Sequence, residues 1–285
     1  MNTQLRLIHT DQIPLTPDAG AQSGQELDTE TARTIIKNRS IAIYLQPIVA
    51  LAHGGVMGYE ALARGPEYSP LHQAGALFGA AAKAGLTHEI EALCVAQALL
   101  QLPRLPAHMQ LFVNAGPDLL IHGALGRLLD ASPLRQHFHR LVIEITEHQP
   151  FGDLPQLRRE IRDLHARGIS VALDDFGYGF SDLKTVKHLR PDIVKIPLDL
   201  IRDTGPAAQS AQRLTSMCSL LARHGARVVV EGVESGEQAM AVEMCGAHWA
   251  QGYYFSRPRP ADEFAWDQSS AWPDQERSRV PAASV

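Results

Sequence analysis

Short apolar segments alternate with longer amphipathic ones along this chain, and that alternation limits its possible folds more than any other feature. From residue 111 onward, most Val-, Ile- and Leu-rich segments are followed by a helical pattern, and three of those patterns close at Gly168, Gly225 and Gly246. Strands that recur with a helix after each are typical of a parallel sheet covered on its faces. With two earlier strands the count reaches about eight, which predicts a (β/α)8 barrel of the TIM type.

The first two predicted strands depart from this alternation, because only a short turn at Gly54–Gly55 joins them. A parallel crossover needs a much longer connection, so the two strands are predicted to pair antiparallel. We predict a loosely ordered leader at residues 1–28, the barrel at 29–260 and a polar, peripheral tail at 261–285. The predicted strands cover residues 41–47, 56–62, 111–114, 141–147, 170–173, 192–196, 226–230 and 249–255. The predicted helices cover residues 29–38, 72–102, 117–129, 154–167, 181–189, 207–224 and 236–245.

Composition excludes several classes of function. The chain has 285 residues and a net charge of −5, so it lacks the basic surface expected of a protein that binds nucleic-acid polymers or anionic membranes. No apolar run approaches the ~20 residues of a membrane span, and no secretory signal is visible. Cys94, Cys218 and Cys245 form no C-x-x-C pair, which predicts buried thiols in a reducing cytoplasm.

Polar side chains fall at the C-terminal ends of nearly all the predicted strands. In a barrel of this kind these ends share one rim, where the active site lies. Carboxylates crowded on one rim repel one another unless cations hold them, and oxygen ligands without Cys or His suit Mg²⁺ or Mn²⁺. Such a cluster can hold two ions, an arrangement that serves phosphodiester hydrolysis. The residues concerned are Gln46, Glu60, Asn114, Glu144, Asp174, Asp175, Lys195, Glu231 and Gln251.

Three of these positions have other interpretations. Asp174 and Asp175 are adjacent, so they point to opposite sides of an extended strand unless the chain bends, which the following glycines permit. Taken alone, the pair also fits a polar turn at a strand end. Lys195 could form a Schiff base, as in barrel aldolases, or balance the acids as a structural cation. The dense carboxylates argue against the Schiff base, because they would keep the lysine protonated.

The ordered set of motifs resembles the EAL family of cyclic-di-GMP phosphodiesterases. The naming triplet stands as Glu60-Ala61-Leu62, whereas Glu91-Ala92-Leu93 repeats it within a predicted helix and is interpreted as incidental. The resemblance covers roughly residues 30 to 260 and implies a TIM-type barrel, the EAL variant. Its other motifs are Gln46-Pro47-Ile48, Asn114, Glu144-Ile145-Thr146-Glu147, Asp174-Asp175-Phe176-Gly177, Lys195-Ile196, Glu231-Gly232-Val233-Glu234 and Gln251-Gly252-Tyr253.

The resemblance also implies roles for individual residues. The implied metal ligands, for a pair of Mg²⁺ or Mn²⁺ ions, are Glu60, Asn114, Glu144, Asp174, Asp175 and Glu231. Lys195 would orient or activate the attacking water, and Arg64 would contact a substrate phosphate. The implied substrate contacts are Gln46, Leu62, Arg64, Pro66, Asn114, Lys195 and Gln251. Glu147 would support the loop that follows Asp175, and Glu234 would support the Glu231 segment.

The implied activity is hydrolysis of cyclic di-GMP to linear pGpG by a cytoplasmic homodimer. Tyr178, Asp182 and Pro197 depart from the usual family pattern, which commonly has Asp where Pro197 stands. These departures leave open a second function, a catalytically silent receptor that binds cyclic di-GMP or a protein partner. A third function left open is that of an unrelated barrel aldolase or isomerase that acts through Lys195.

Overall fold

A computed structural model of the protein describes residues 19–146, 151–177, 183–202 and 207–264. In these residues eight strands close into a barrel, in the order β1 to β8 and back to β1, and a ninth strand pairs with β1. The barrel strands are β1 (Ala42–Ala50), β2 (Val56–Arg64), β3 (Gln110–Ala115), β4 (Leu141–Ile145), β5 (Ser170–Leu173), β6 (Ile193–Pro197), β7 (Arg227–Glu231) and β8 (Trp249–Ala250). The ninth strand, β9, is Arg259–Pro260.

Helices cover the outside of the barrel, as the alternating pattern predicts. They are α1 (Ala19–Asn38), α2 (Ala74–Lys83), α3 (Thr87–Leu99), α4 (Pro117–Ile121), α5 (Ala124–Ala131), α6 (Leu154–Ala166), α7 (Leu183–Leu189), α8 (Leu198–Arg202), α9 (Ala207–Arg223) and α10 (Gly236–Met244). The larger of the two apolar clusters fills the space between these helices and the strands. Within the described part of the chain, no helix has both the length and the apolar character to cross a membrane.

Strand β1 runs against the rest of the barrel. It pairs antiparallel with β2, which confirms the prediction from the short turn, and also antiparallel with β8. All the other barrel neighbours pair parallel. The consequence for the site is that β1 presents its residues to the rim in the reverse order, so that Gln46 lies above Ile48 although it precedes it.

The barrel interior is layered, because inward-facing positions recur every second residue along a strand. An apolar plug fills the lower part of the barrel and excludes water from it. It consists of Ile48, Ala50, Phe112, Val142, Ala172, Ile193, Val229 and Trp249. Two residues further toward the rim, the same strands carry Gln46, Asn114, Glu144, Asp174, Lys195, Glu231 and Gln251. The sequence periodicity therefore places these polar groups in one layer directly above the plug.

Several predicted boundaries are wrong. The helix predicted for residues 72–102 is two helices, because Gly85 takes a left-handed conformation (φ +68°) after α2. Likewise Gly123 (φ +67°) separates α4 from α5 within the predicted 117–129 helix. The last barrel strand ends at Ala250 rather than residue 255, since at Gly252 the chain packs directly on the backbone of Val233. Helix α1 begins at Ala19, ten residues before the predicted start at residue 29.

The first residues of the predicted tail, which begins at residue 261, also differ from the peripheral segment that we predict. β9 pairs with β1 at Tyr44 and Leu45, beside the part of β1 that the short β8 does not reach. Ala261 is buried, and the ring of Phe264 packs edge-on against Tyr59 at 5.4 Å. Residues 259–264 are therefore part of the barrel wall. Residues 265–285 of the predicted tail and residues 1–18 of the predicted leader lie outside the described residues.

Candidate active site

The polar layer converges on the buried side chain of Lys195. Its ammonium nitrogen lies 2.6 Å from Glu231, 2.9 Å from Glu144, 3.3 Å from Asp174 and 3.4 Å from Glu60. Only 1% of the lysine side chain is exposed, and Glu144 is fully buried. Residues from four different strands and the end of β5 thus meet at one point, as the sequence predicts. We call Glu60, Glu144, Asp174, Glu231 and Lys195 the anionic bowl.

A chain of amides holds one side of the bowl. Asn114 donates a hydrogen bond to Glu60 Oε1 (2.8 Å), and Gln251 Nε2 donates to Glu60 Oε2 (2.7 Å) and to Gln46 Oε1 (3.1 Å). Gln46 in turn donates to the carbonyl of Ser256 (3.1 Å). Both carboxylate oxygens of Glu60 therefore accept hydrogen bonds from neutral donors. These bonds fix the orientation of the Glu60 side chain without a bound ligand.

The turn after β5 bends the chain so that the adjacent acids Asp174 and Asp175 can face the same site. Asp175 itself takes a left-handed conformation (φ +50°), which is strained for a residue other than glycine, and Gly177 follows at φ +102°. The bend brings carboxylate oxygens of Asp174, Asp175 and Glu231 within 4.8 Å of one another. Phe176 then anchors the turn by donating its backbone N–H to the Lys195 carbonyl (2.9 Å). The predicted bend is present, but it begins at Asp175 rather than at the glycines.

The bowl shifts the acidity of its members in different directions. Burial raises the pKa of Glu144 well above its usual value, and the nearby charge of Glu60 adds to the effect. Burial likewise raises the pKa of Glu231 to about 8, although Lys195 opposes the shift. For Glu60, burial is outweighed by Lys195 and by the donors Gln251 and Asn114, so its pKa is lowered.

Lys195 remains protonated in this environment. Burial alone would lower its pKa, but Asp174, Glu144 and the other acids hold it well above the ordinary value. A Schiff-base lysine needs a neutral amine, so the geometry argues against the aldolase interpretation. It favours the alternative of a cation that balances the acids.

One ammonium does not balance the bowl. Four carboxylates face Lys195, and within the described residues it is the only cation paired with them. Asp174 Oδ1 and both oxygens of Glu144 are buried without a hydrogen-bond donor in good geometry, even though Glu144 Oε1 and Asp174 Oδ1 lie close to Lys195. Orphaned anionic oxygens in an oxygen-only ligand set fit a hard divalent cation such as Mg²⁺ or Mn²⁺.

A cavity of about 440 Å³ opens beside the bowl, between β2, β3, α2 and α3. Leu62, Arg64 and Asn114 line it, which brings together three of the predicted substrate contacts. The Arg64 guanidinium lies 5.6 Å from the centre of the Tyr44 ring, within the range of a cation–π contact. The walls are otherwise mostly apolar, a composition typical of pockets that take flat organic rings.

Glu91 is the residue that our sequence interpretation missed. It belongs to the second Glu-Ala-Leu triplet, yet it lines the cavity, and its Oε1 lies 2.7 Å from where a Cβ on Gly116 would stand. Burial raises its pKa. The available signal was its position on α3, whose neighbours Ile90, Leu93 and Cys94 are buried, so that Glu91 lies at the edge of an apolar face.

Some predicted residues are not brought to the bowl by the described structure. Pro66 lies in the loop after β2, where its carbonyl accepts a hydrogen bond from Ser69. The Glu234 side chain is exposed, and the segment there is tied instead by Gln238, which accepts the Glu234 backbone N–H at 2.7 Å. Glu147, Tyr178 and Asp182 lie outside the described residues. All three cysteines are buried and unpaired, which confirms the prediction that they are buried thiols.

The fold and site define a closed TIM-type barrel with an acidic bowl at the C-terminal ends of its parallel strands. The chain belongs to the EAL domain family, which matches residues 29–258. The probable cyclic di-GMP phosphodiesterase PdeG of Escherichia coli K12 is 29% identical over 242 residues, which are 80% of this chain and 46% of that protein. The chain spans about half the length of the curated relatives it matches, or less.

Solved structures share the fold over most of the chain. The PaMucR phosphodiesterase in complex with c-di-GMP is 26% identical with a TM-score of 0.71, and the match covers 83% of this chain and 99% of that one. Klebsiella pneumoniae BlrP1 with calcium and c-di-GMP is 30% identical with a TM-score of 0.68, covering 78% and 56%. BlrP1 is also known with manganese and c-di-GMP. The barrel architecture is thereby confirmed.

Proposed function

We propose that this protein hydrolyses cyclic di-GMP to linear pGpG with the help of divalent cations. The observation that carries the proposal is the anionic bowl, in which four acids, from β2, β4, the end of β5 and β7, face one buried ammonium. Relatives in the same family are described as cyclic di-GMP phosphodiesterases, and neighbouring structures hold c-di-GMP with calcium or manganese.

Six residues would hold the cations. The carboxylates are fixed by Lys195 and the amide chain, and Asn114 uses its nitrogen on Glu60, which leaves its carbonyl oxygen for an ion. When bound, a pair of Mg²⁺ or Mn²⁺ ions activates water and stabilises charge on the attacking and leaving oxygens of a phosphodiester. The residues are Glu60, Asn114, Glu144, Asp174, Asp175 and Glu231.

The chain's own side chains would orient the substrate. Arg64, held against Tyr44, presents a guanidinium that can bind phosphate oxygens in a bidentate manner. Gln46 and Gln251 line the bowl beside Glu60 and can contact the sugar–phosphate ring. The cavity would receive one base, with Leu62 against its face and the Glu91 carboxylate accepting N–H groups from its edge.

Lys195 would act on the water that attacks phosphorus. Its protonated ammonium cannot take a proton, so it donates hydrogen bonds that orient the water and that favour the developing negative charge. The excess acids of the bowl are the groups able to accept the proton that the water loses.

The test is chromatography of nucleotides after the full chain is incubated with cyclic di-GMP and Mn²⁺. We expect a single product, pGpG, its loss in chelator, and its loss in Glu60→Ala. Glu89→Ala, an exposed change on α3, is the matched control and keeps activity. Turnover that survives chelation or the Glu60 change would contradict the proposal.

The silent receptor remains a second candidate, favoured by one observation. Buried Pro197 ends β6 directly opposite Glu231, so no acid is available at that position of the bowl. Calorimetry in calcium beside turnover in magnesium separates the two functions, because a receptor binds cyclic di-GMP and forms no product. A homodimer belongs to the same proposal, and light scattering of the purified chain tests it.

A further inference from the structure

The position of Lys195 has a consequence for the metal-free protein. Its ammonium does not lie at the edge of the bowl but between four carboxylates, at 2.6 to 3.4 Å from each. It is therefore in contact with four of the residues that would hold a cation. Removing one partner from a buried ion pair is strongly destabilising, because the remaining charges stay buried and uncompensated.

We propose that Lys195 is a built-in counter-ion that keeps the bowl folded without metal and competes with the divalent cation for the same carboxylates. The inference rests on the proposed function only for the location of the cation site. The counter-ion role itself follows from the four contacts and from the burial of the lysine, of which 1% is exposed.

The competition follows from oxygen geometry. A divalent ion of the Mg²⁺ type needs oxygen ligands at about 2.0–2.1 Å, and it draws on the lone pairs that now face the ammonium. The lysine must release part of its four contacts before an ion can take them. Because both cations stabilise the same anions, each must weaken the binding of the other.

The bowl offers no substitute for the lysine within the described residues. The remaining polar contacts to Glu60 come from the neutral amides of Asn114 and Gln251. Amide donors fix orientation but carry no net charge. Without Lys195, the excess negative charge can be relieved only by protons or by added metal.

The experiment compares Lys195→Met with Lys187→Met, a matched change of an exposed lysine on α7. In chelator, we expect the melting temperature of Lys195→Met to fall by about 10 °C and that of Lys187→Met to stay within about 2 °C of the starting protein. Calorimetric titration with Mn²⁺ should show about tenfold tighter binding to Lys195→Met, and an unchanged constant for Lys187→Met.

A second variant guards against a simple folding failure. Lys195→Met combined with Asp174→Asn removes one carboxylate that faces the ammonium together with the positive charge, so it should recover a large part of the lost melting temperature. No recovery would mean that packing rather than charge explains the lower melting temperature, and this would overturn the counter-ion role of Lys195. Mn²⁺ binding to Lys195→Met that is unchanged or weaker overturns the competition. If the starting protein binds no Mn²⁺, the proposed cation site is wrong, while the melting temperatures in chelator still decide the counter-ion.

Discussion

The turn that carries Asp174 and Asp175 depends on Gly177, and replacing that glycine should damage the site more than the fold. Gly177 lies at φ +102°, and a Cβ there would overlap the Leu200 side chain on α8. A left-handed conformation costs a residue other than glycine about 1–3 kcal/mol, and the overlap adds less, because it is with the end of the flexible Leu200 side chain, which can move. Gly177→Ala should therefore lose about 3 kcal/mol, unless the turn moves and displaces the two carboxylates.

Calorimetry measures both outcomes. At about 2–4 °C per kcal/mol, strain that stays in the fold lowers the melting temperature by about 6–12 °C. Strain relieved by moving Asp175 appears instead as weaker Mn²⁺ binding, by about tenfold for each 1.4 kcal/mol. Because the turn is short and next to the bowl, we expect the larger share in metal binding.

The control is Gly85→Ala, a glycine with a similar positive φ (+68°) but no atom within 4 Å of the added Cβ. It should cost about 1 kcal/mol of stability and leave Mn²⁺ affinity unchanged. Adding Leu200→Ala to Gly177→Ala removes the overlap and should recover part of the loss. If Gly177→Ala binds Mn²⁺ as the starting protein does, Gly177 does not set the carboxylate geometry.

Three further outcomes are expected. Arg140 is buried and donates hydrogen bonds to the carbonyls of Leu102, Leu105 and Pro106. Arg140→Leu should therefore lower the free energy of unfolding, measured in urea, by about 3 kcal/mol, whereas Arg223→Leu, at an exposed position, should leave it almost unchanged. The pKa of Glu231 is about 8 in the folded state against an ordinary 4.5, so folding binds a proton between these values. In the metal-free protein, the contribution of Glu231 to the free energy of unfolding is therefore fully present below pH 4.5 and is lost as the pH rises through 8, by up to about 1.4 kcal/mol per pH unit. Glu231→Gln should flatten this slope. An equally steep slope in that variant would contradict the assignment. Glu91→Gln should raise KM for cyclic di-GMP about tenfold with kcat unchanged, beside an unaffected Glu89→Gln, and an unchanged KM would remove Glu91 from the base site.

The sequence predicts the barrel well because each buried strand is a short apolar run and because the polar residue that follows lies at a fixed spacing. Phe112 with Asn114 and Val142 with Glu144 show the pattern, and strand register then brings such pairs to one layer. The antiparallel start is predictable for a related reason, since a two-glycine turn cannot carry a crossover.

What the sequence does not predict depends on contacts between distant segments. Nothing local indicates that residues 259–264 close the barrel wall beside Tyr44, because β8 is too short to cover β1 by itself. Glu91 looks like an ordinary helix residue until α3 is packed against β3. The position of Lys195 among four acids also needs the register of four strands, which no single segment encodes.

The central claim is that acids from separate strands gather into one bowl that takes divalent cations. Diffraction from crystals soaked in Mn²⁺, measured at the manganese absorption edge, tests it most directly. We expect anomalous peaks within bonding distance of carboxylate oxygens of Glu60 and Asp174, with Lys195 shifted away from at least one acid that it now contacts. Crystals soaked at millimolar Mn²⁺ that show no anomalous peak in the bowl would contradict the account.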